Sequence, residues 1–223
     1  MAKKSTFTAK DWEKLVNDGT NYGDLGDEFT PKQKILFESI KDKKILKVQD
    51  AYAFSKQGKK EENHATELAE LIASFEPVKK VTSFIITHNG LTPEALKILI
   101  DSDFVNDVEY LQLGSNELGD EGVQLIASTE KFKNVHTLNL ECNGVGPEGA
   151  KALATSPYLN KIDYLSLVDN RVGEEGAYAI ANSDNLASLT YLHLGGNRIK
   201  SEEAKEAVRQ SKKLVNMKTL KIF

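Results

Sequence analysis

The strongest constraint on this chain is a sequence motif that returns every 27 residues. In each copy, two leucines are separated by one variable residue, and an asparagine follows shortly after the second leucine. Four clear copies begin at Leu111, Leu138, Leu165 and Leu192, and a fifth at Phe84 keeps the asparagine but not the leucines. A unit this short cannot bury its apolar side alone, so such units have to stack on one another. The sequence therefore predicts an array of stacked repeats.

Each repeat predicts one strand and one helix. Leucines two positions apart point to the same side of a strand, toward a core. A second pattern follows, as in Leu118-Gly-Asp-Glu-Gly122, and leads into apolar residues at helical spacing such as Val123 and Ile126. We expect the helices on the outer face and one parallel sheet whose strands centre on residues 84–86, 111–113, 138–140, 165–167 and 192–194.

The repeated asparagines predict a structural ladder inside the stack. Each side-chain amide can bond backbone groups of neighbouring turns that would otherwise be buried without partners. The five asparagines in register are Asn89, Asn116, Asn143, Asn170 and Asn197.

These motifs resemble the leucine-rich-repeat family, in the subclass typified by ribonuclease inhibitor. The pattern LxxLxLxxN, followed by Gly-x-Glu-Gly-Ala and a helix, carries the resemblance over residues 64–223. The first copy departs from it at Phe84 and Ile86, and the last at Lys200 and Glu203. The resemblance implies an α/β solenoid with a curved parallel sheet on the concave face and helices on the convex face. It also implies protein binding, since members of this family mostly bind proteins.

Two regions are expected along the chain. Residues 1–60 are predicted to form an N-terminal helical cap, with helices at Thr8–Val16 and Thr30–Lys41, and residues 61–223 the solenoid of about five to six repeats. The position one period before Phe84 is Gln57, where the polar sequence Gln-Gly-Lys-Lys-Glu-Glu cannot be a core strand. Ile45–Val48 or Ala51–Phe54 is expected to replace it.

Composition argues against several classes of partner and site. A net charge of −4 and a pI near 5.7 provide no field that would attract nucleic acid or a membrane surface, and no apolar run is long enough to span a membrane. The Asn17–Glu28 segment lacks the ligand spacing of a calcium loop, and the histidines lack zinc-site spacing. We therefore predict no metal and no cofactor. The single cysteine, Cys142, favours a cytoplasmic location, although a leaderless secretion route stays open.

Catalysis is not expected. Ser166 and His193 occupy the same repeat position on neighbouring strands, and Asp169 lies nearby, which is the residue set of a nucleophilic site. The site would, however, lie on an open sheet face without oxyanion donors, and Asp169 would not stand behind His193. We predict that the chain is not an enzyme.

Strand residues between the core leucines should face a protein partner on the concave side. Three tyrosines fall in one column of this face, and tyrosine is a preferred interface anchor. The alternative reading is that tyrosine simply has high strand propensity. The small residues Gly114, Ser166 and Gly195 are expected to leave room for the partner. The predicted contact residues are Tyr110, Gln112, Asn139, Glu141, Tyr164, Ser166, Val168, Tyr191 and His193.

The predicted function is that of a non-enzymatic scaffold for a protein partner whose identity the sequence does not give. The alternative is a regulatory or recruiting subunit of an enzyme, of the GTPase-activating or ubiquitin-ligase adaptor type. Leu220 and Ile222 repeat the strand pair with a one-residue slip, which predicts a further strand with an open edge. Lys218 and Lys221 favour a monomer there, and the alternative is a two-fold dimer through this edge that buries Phe223.

Overall fold

The computed structural model describes residues 40, 45–49, 64–103 and 105–223. The predicted helix Thr8–Val16, the Asn17–Glu28 segment and the strand candidate Ala51–Phe54 lie outside the described residues. Of the predicted helix Thr30–Lys41, only Ile40 is described, and its side chain is buried.

Seven parallel strands form one sheet in which the spatial order follows the chain order. The first strand confirms Ile45–Val48 as the substitute for the missing repeat strand, and it pairs with the second through Ile45 and Ser83. It therefore joins the sheet although it lies within residues 1–60. The strands are β1 Ile45–Gln49, β2 Ser83–Thr87, β3 Tyr110–Gln112, β4 Thr137–Asn139, β5 Tyr164–Ser166, β6 Tyr191–His193 and β7 Thr219–Lys221.

Six α-helices alternate with these strands in the described part of the chain. Neighbouring helices contact one another, as neighbouring strands do, so the molecule has a helix layer and a strand layer. Within the described ranges, none of the helices has both the length and the apolar character that crossing a membrane requires. The helices are α1 His64–Ala73, α2 Pro93–Asp101, α3 Gly119–Ser128, α4 Pro147–Thr155, α5 Gly173–Ala181 and α6 Glu202–Arg209.

The core lies between the two layers and repeats with the sequence. Both strand leucines of each clear copy are buried, and Phe84 and Ile86 fill the same two places in β2. The glycine in the helix start is required by close packing. A Cβ atom at Gly176 would lie 2.6 Å from Val172 Cγ1 and 2.9 Å from Ala150 Cβ. The glycine at this position thus lets α4 and α5 approach both their own turns and the preceding helices.

The repeated asparagines join neighbouring turns through their side chains, and all five are buried. Asn143 Nδ2 donates to the carbonyl oxygens of Leu113 at 2.8 Å and Glu141 at 3.0 Å. In the next turn, Asn170 Oδ1 accepts from the N–H groups of Asn143 at 3.0 Å and Val145 at 2.9 Å. One side chain therefore satisfies backbone donors and acceptors of two adjacent repeats, as buried polar groups require.

In four of the five asparagine turns, the residue just before the asparagine is strained, while Gly196 takes this place before Asn197. His88, Ser115, Cys142 and Asp169 have φ between 51° and 57°, in the left-handed region. A residue with a side chain is disfavoured there by about 1–2 kcal/mol. The ladder bonds of the following asparagine hold the turn in this conformation.

A second set of bonds connects repeats on the helix side. Helix α4 begins after Gly146, which has no side chain to cap it. The carboxylate of Asp120, one repeat earlier, accepts there from the N–H groups of Gly146 at 2.6 Å and Gly149 at 2.8 Å. The preceding repeat thus supplies the cap of α4, a role that the sequence did not reveal.

We expect Asn143→Ala to lower the free energy of unfolding by about 1–3 kcal/mol, because backbone groups of two repeats would lose their buried partners. Urea denaturation followed by circular dichroism measures this loss. Asn160→Ala, at an exposed position, is the matched control and should change stability little. Equal stabilities of the two variants would contradict the structural role of the ladder.

Asp120→Ala should lower the free energy of unfolding by about 1 kcal/mol, because the first turn of α4 would lose the carboxylate that accepts from its N–H groups. The exposed neighbour Glu121 provides the control Glu121→Ala. Hydrogen exchange should show faster exchange at the Gly146 and Gly149 amides in the Asp120 variant alone. Unchanged exchange at both amides would refute the inter-repeat cap.

Candidate protein-binding face

The surface of the sheet opposite the helices, which we call the strand face, carries the residues predicted to bind a partner. Tyr164 pairs directly with Tyr191 in the sheet register, and Tyr110 occupies the same column two strands away. Tyr110 is 48% exposed, and the other two tyrosines are partly exposed. The regular repeat therefore places the three rings in one column on the open side of the sheet.

Four aromatic side chains form a continuous row across β5, β6 and β7. Tyr164 and Tyr191 stack with ring centroids 4.4 Å apart and planes 5° apart. His193 lies 6.4 Å from Tyr191 and meets Phe223 edge-on at 5.8 Å, and Lys221 Nζ lies 5.7 Å from the centre of the Tyr191 ring. We call Tyr164, Tyr191, His193 and Phe223 the aromatic row. Because each ring rests on a neighbour, the row is ordered before any partner arrives.

Burial and neighbouring charges favour the neutral forms of Tyr164 and His193. Burial raises the pKa of Tyr164, and Tyr191 and Glu141 raise it further. Burial lowers the pKa of His193, and the positive charge of Lys221 also lowers it, while the carboxylates of Asp169 and Glu141 act in the opposite direction. Both side chains are therefore uncharged at neutral pH.

The space that was expected for a partner above Gly114 and Gly195 is filled by side chains of this chain. A Cβ atom at Gly114 would lie 2.9 Å from Glu141 Cγ, and one at Gly195 would lie 2.7 Å from Phe223 Cζ. The prediction that these glycines leave space for a partner was wrong, because the chain's own side chains lie over them. Each glycine instead allows a larger neighbour to lie flat on the sheet.

Ser166 also departs from expectation. It is only 3% exposed, because in the register it lies between the larger side chains of Asn139 and His193. It therefore offers a partner almost no contact surface in this structure. The other predicted contact residues outside the tyrosine column are partly exposed, namely Gln112, Asn139, Glu141, Val168 and His193.

The structure also bears on the chemistry considered for this face. His193 Nδ1 is buried and has no hydrogen-bond partner among the described residues, so this nitrogen does not accept a hydrogen bond from the hydroxyl of Ser166. Burial raises the pKa of the Cys142 thiol, and Asp169 and Glu141 raise it further, which disfavours the reactive thiolate. Among the described residues, no group of three histidine, cysteine, aspartate or glutamate side chains is placed to hold a metal ion.

Two residues of this face, Phe223 and Lys221, were not among the predicted contact residues. The repeat could have indicated them, because Leu220 pairs with Leu192 and the outward-facing strand positions therefore continue on β7. Their contacts with His193 and Tyr191 depend on the direction of each side chain, which the position of a residue in the repeat does not give.

The pKa of His193 should lie below its ordinary value of 6.5, and Lys221→Gln should raise it by removing the neighbouring positive charge. His193 has a higher pKa in the unfolded chain than in the folded protein, so the unfolded chain binds this proton more readily. As a result, His193 lowers the free energy of unfolding as the pH falls from about 6.5 toward the pKa of the folded state. An NMR titration of the His193 Cε1–H resonance measures the pKa in both proteins. Lys133→Gln, at an exposed position, is the control, and a His193 pKa above 6.5 in the unmodified protein would contradict the burial argument.

Comparison with known proteins shows which family the repeats of this chain match. Four successive segments match the family described as "Leucine Rich repeat", at residues 106–127, 133–154, 158–181 and 185–202. No curated protein sequence gives a significant match. Among solved structures, an internalin from Listeria monocytogenes str. 4b F2365 is 20% identical with a TM-score of 0.47, over 69% of this chain and 44% of the internalin chain. This chain thus spans less than half the length of that protein.

The matched segments cover successive repeats of the parallel sheet, and each contains one strand of the set β3 to β6. The predicted resemblance to the family is therefore confirmed, while the ribonuclease-inhibitor-like subclass stays a prediction. The four matched segments and the stacked strand-and-helix units that contain them show that this chain carries leucine-rich repeats.

Proposed function

We propose that this chain is a non-enzymatic scaffold that binds a protein partner on its strand face. Leucine-rich-repeat proteins are generally protein-interaction scaffolds, and the aromatic row is the observation that supports this role most directly. Aromatic side chains supply much of the binding energy at protein interfaces. The proposed contact residues are Tyr110, Gln112, Asn139, Glu141, Tyr164, Val168, Tyr191 and His193, to which we add Lys221 and Phe223.

Order within the row favours binding. A partner that immobilises a free side chain loses about 0.5–1.5 kcal/mol of binding free energy for each one. Tyr164 and Tyr191 already hold each other in a parallel stack, so little further order is needed. Tyr110, which is more exposed, extends the aromatic surface toward the middle of the sheet.

Charged side chains border the aromatic row. The carboxylates of Glu141 and Asp169 lie close enough to influence His193, and Lys221 lies over Tyr191. An apolar centre with a polar rim is the usual anatomy of a protein interface. This arrangement favours a protein partner over a purely electrostatic ligand.

A cytoplasmic location belongs to the same proposal. It rests on the single cysteine, Cys142, which is free and exposed. An exposed free thiol is more typical of reducing compartments than of secreted proteins. Alkylation of Cys142 in intact cells, followed by mass spectrometry, would report whether the thiol is reduced there.

Replacing Tyr110, Tyr164 and Tyr191 together with alanine should abolish capture of the partner, while the melting temperature falls by no more than about 5 °C. Affinity capture from a native lysate with quantitative mass spectrometry identifies proteins that the unmodified chain retains in stoichiometric amount. The control carries Tyr158→Ala and Tyr178→Ala, since Tyr178 lies on helix α5 and is exposed.

The proposal predicts that the control retains the same proteins as the unmodified chain. Equal capture by the triple variant would show that the partner binds elsewhere. Unfolding of the triple variant would show that the tyrosines stabilise the fold, and the binding face would then need to be sought outside their column.

A further inference from the structure

A groove between α4 and α5 lies on the helix side of the molecule, away from the strand face, and encloses about 590 Å³. One wall carries Glu148, Lys151 and Thr155 of α4, and the other carries Glu175 and Tyr178 of α5. All five residues are exposed, and those of each wall are three or four positions apart, on one face of their helix. The wall of α4 extends over two helical turns, which is about 10 Å.

Contacts between the two helices fix the shape of this groove. A Cβ atom at Gly176 would lie 2.9 Å from Ala150 Cβ, so α4 and α5 are in close contact there. Ser183 Oγ donates to the carbonyl oxygen of Ala154 at 2.5 Å and thereby joins the turn after α5 to the end of α4. Because both walls are helical, their backbone groups bond within each helix. An occupant therefore has to bind through side chains.

Small side chains leave space between the walls. Ala154 and Ala179 line the groove. Ala179 occupies the repeat position at which α3 has Leu125 and α2 has Ile98. Either of those longer side chains would extend into the space that Ala179 leaves open. The groove thus offers an apolar surface with room for side chains of another molecule.

Tyr178 gives the groove an exposed ring. It is the only aromatic residue in the six helices of the described chain, and it is 39% exposed. No described residue forms a hydrogen bond with its hydroxyl group. A ring in this position attracts a cationic group of a ligand.

The charged residues that line the groove are the carboxylates of Glu148, Glu175 and Asp184 and the single cation Lys151. Lys151 Nζ lies 3.9 Å from Glu148 in an ion pair open to solvent, and Asp184 pairs with Lys213. Glu175 has no ion-pair partner among the described residues. The groove therefore combines an excess of negative charge with an exposed aromatic ring, and this combination complements a cation.

We propose that this groove binds a basic helix of a protein partner. An arginine of that helix lies against the Tyr178 ring and pairs with Glu175 and Glu148 on the two walls. Small residues beside the arginine pack on Ala154 and Ala179. A helix is favoured over an extended segment because it satisfies its own backbone groups, and the walls provide none for an added strand.

Other occupants fit these observations less well. The first turns of α3, α4, α5 and α6 are acidic, so the helices of a second copy would bring carboxylates to the carboxylates of the groove. Like charges across an interface oppose binding, and the phosphates of a nucleic acid would be repelled in the same way. A small free cation would pair with the carboxylates but would leave the alanine side chains in water. A basic helix satisfies the charge, the ring and the apolar surface together.

The test is an NMR titration of the full chain with a synthetic alanine-based peptide that carries arginine at every fourth position. A peptide of about 16 residues is long enough to form a helix in water. We expect it to shift the amides of Glu148, Lys151, Tyr178 and Asn182. Glu148→Gln with Glu175→Gln should weaken binding at least about threefold through the loss of two ion pairs. Tyr178→Leu should weaken it about two- to fivefold, because the cation would lose the ring.

Two further variants separate the charge of the groove from charge elsewhere. Lys151→Gln should strengthen binding about twofold, because Lys151 competes with the arginine for Glu148. Glu121→Gln with Glu203→Gln makes the same charge change as the double groove variant at exposed positions outside the groove and should leave the dissociation constant within about 1.5-fold. All the substituted residues are exposed, so each variant should keep its fold, which circular dichroism checks.

Several results would overturn the proposal. Equal binding by a peptide with glutamate in place of arginine would show that charge does not direct binding. Equal binding by a proline-containing, non-helical form of the arginine peptide would show that the groove does not select a helix. Arginine amide that shifts the same residues at the same concentration would assign the groove to a small free cation. A dimer in sedimentation that the double groove variant abolishes would assign it to self-association.

The groove proposal and the strand-face proposal can fail independently. Tyr110→Ala with Tyr164→Ala should leave binding of the arginine peptide unchanged, because both residues lie on the other layer of the molecule. In affinity capture, a protein that binds the groove would be retained by the strand-face triple variant and weakened by Tyr178→Ala. A protein that binds the strand face would show the reverse.

Discussion

The side-chain bonds of the ladder asparagines set the geometry on which the rest of this structure depends. Each asparagine bonds backbone groups of its own turn and of the adjacent repeat, as Asn143 does with Glu141 and Leu113. These bonds lie in a buried turn where water cannot replace them, so a change in repeat length would leave backbone groups unpaired. The ladder thereby fixes the register of the strands. It also offsets the strain of the left-handed residue that precedes four of the five asparagines.

The fixed register places equivalent side chains of successive repeats next to one another, and this creates a continuous surface on the sheet. Because Tyr164 and Tyr191 lie directly opposite each other in the sheet, their rings can stack in parallel. A shift of one residue in one strand would send every side chain of that strand to the other face and would separate the rings. The glycines at 114 and 195 serve the same surface, since Glu141 and Phe223 lie across them. The side chains of the strand face are thus packed against one another even where solvent reaches them.

The sequence predicted the features that the repeat imposes and missed those that depend on side-chain direction or on one particular neighbour. Strand positions followed from the 27-residue period, because leucine burial and asparagine bonding recur in every unit. The loss of space at Gly195 did not follow, since the ring that fills it belongs to Phe223 on the next strand. Ser166 was expected at the surface because its column faces outward, but its small side chain lies below those of its neighbours. Asp120 caps a helix one repeat away, and no local capping pattern indicates such a bond.

In a solenoid, each repeat is stabilised mainly by its neighbours. The repeat of β7 contributes Lys221 and Phe223 to the strand face, where they contact Tyr191 and His193 of β6. A partner that binds these two side chains together with Tyr191 would therefore hold β7 against β6. By linkage, any change that strengthens the contact between β7 and β6 would strengthen the binding of that partner by the same factor. Binding at the strand face and the stability of this repeat are therefore coupled.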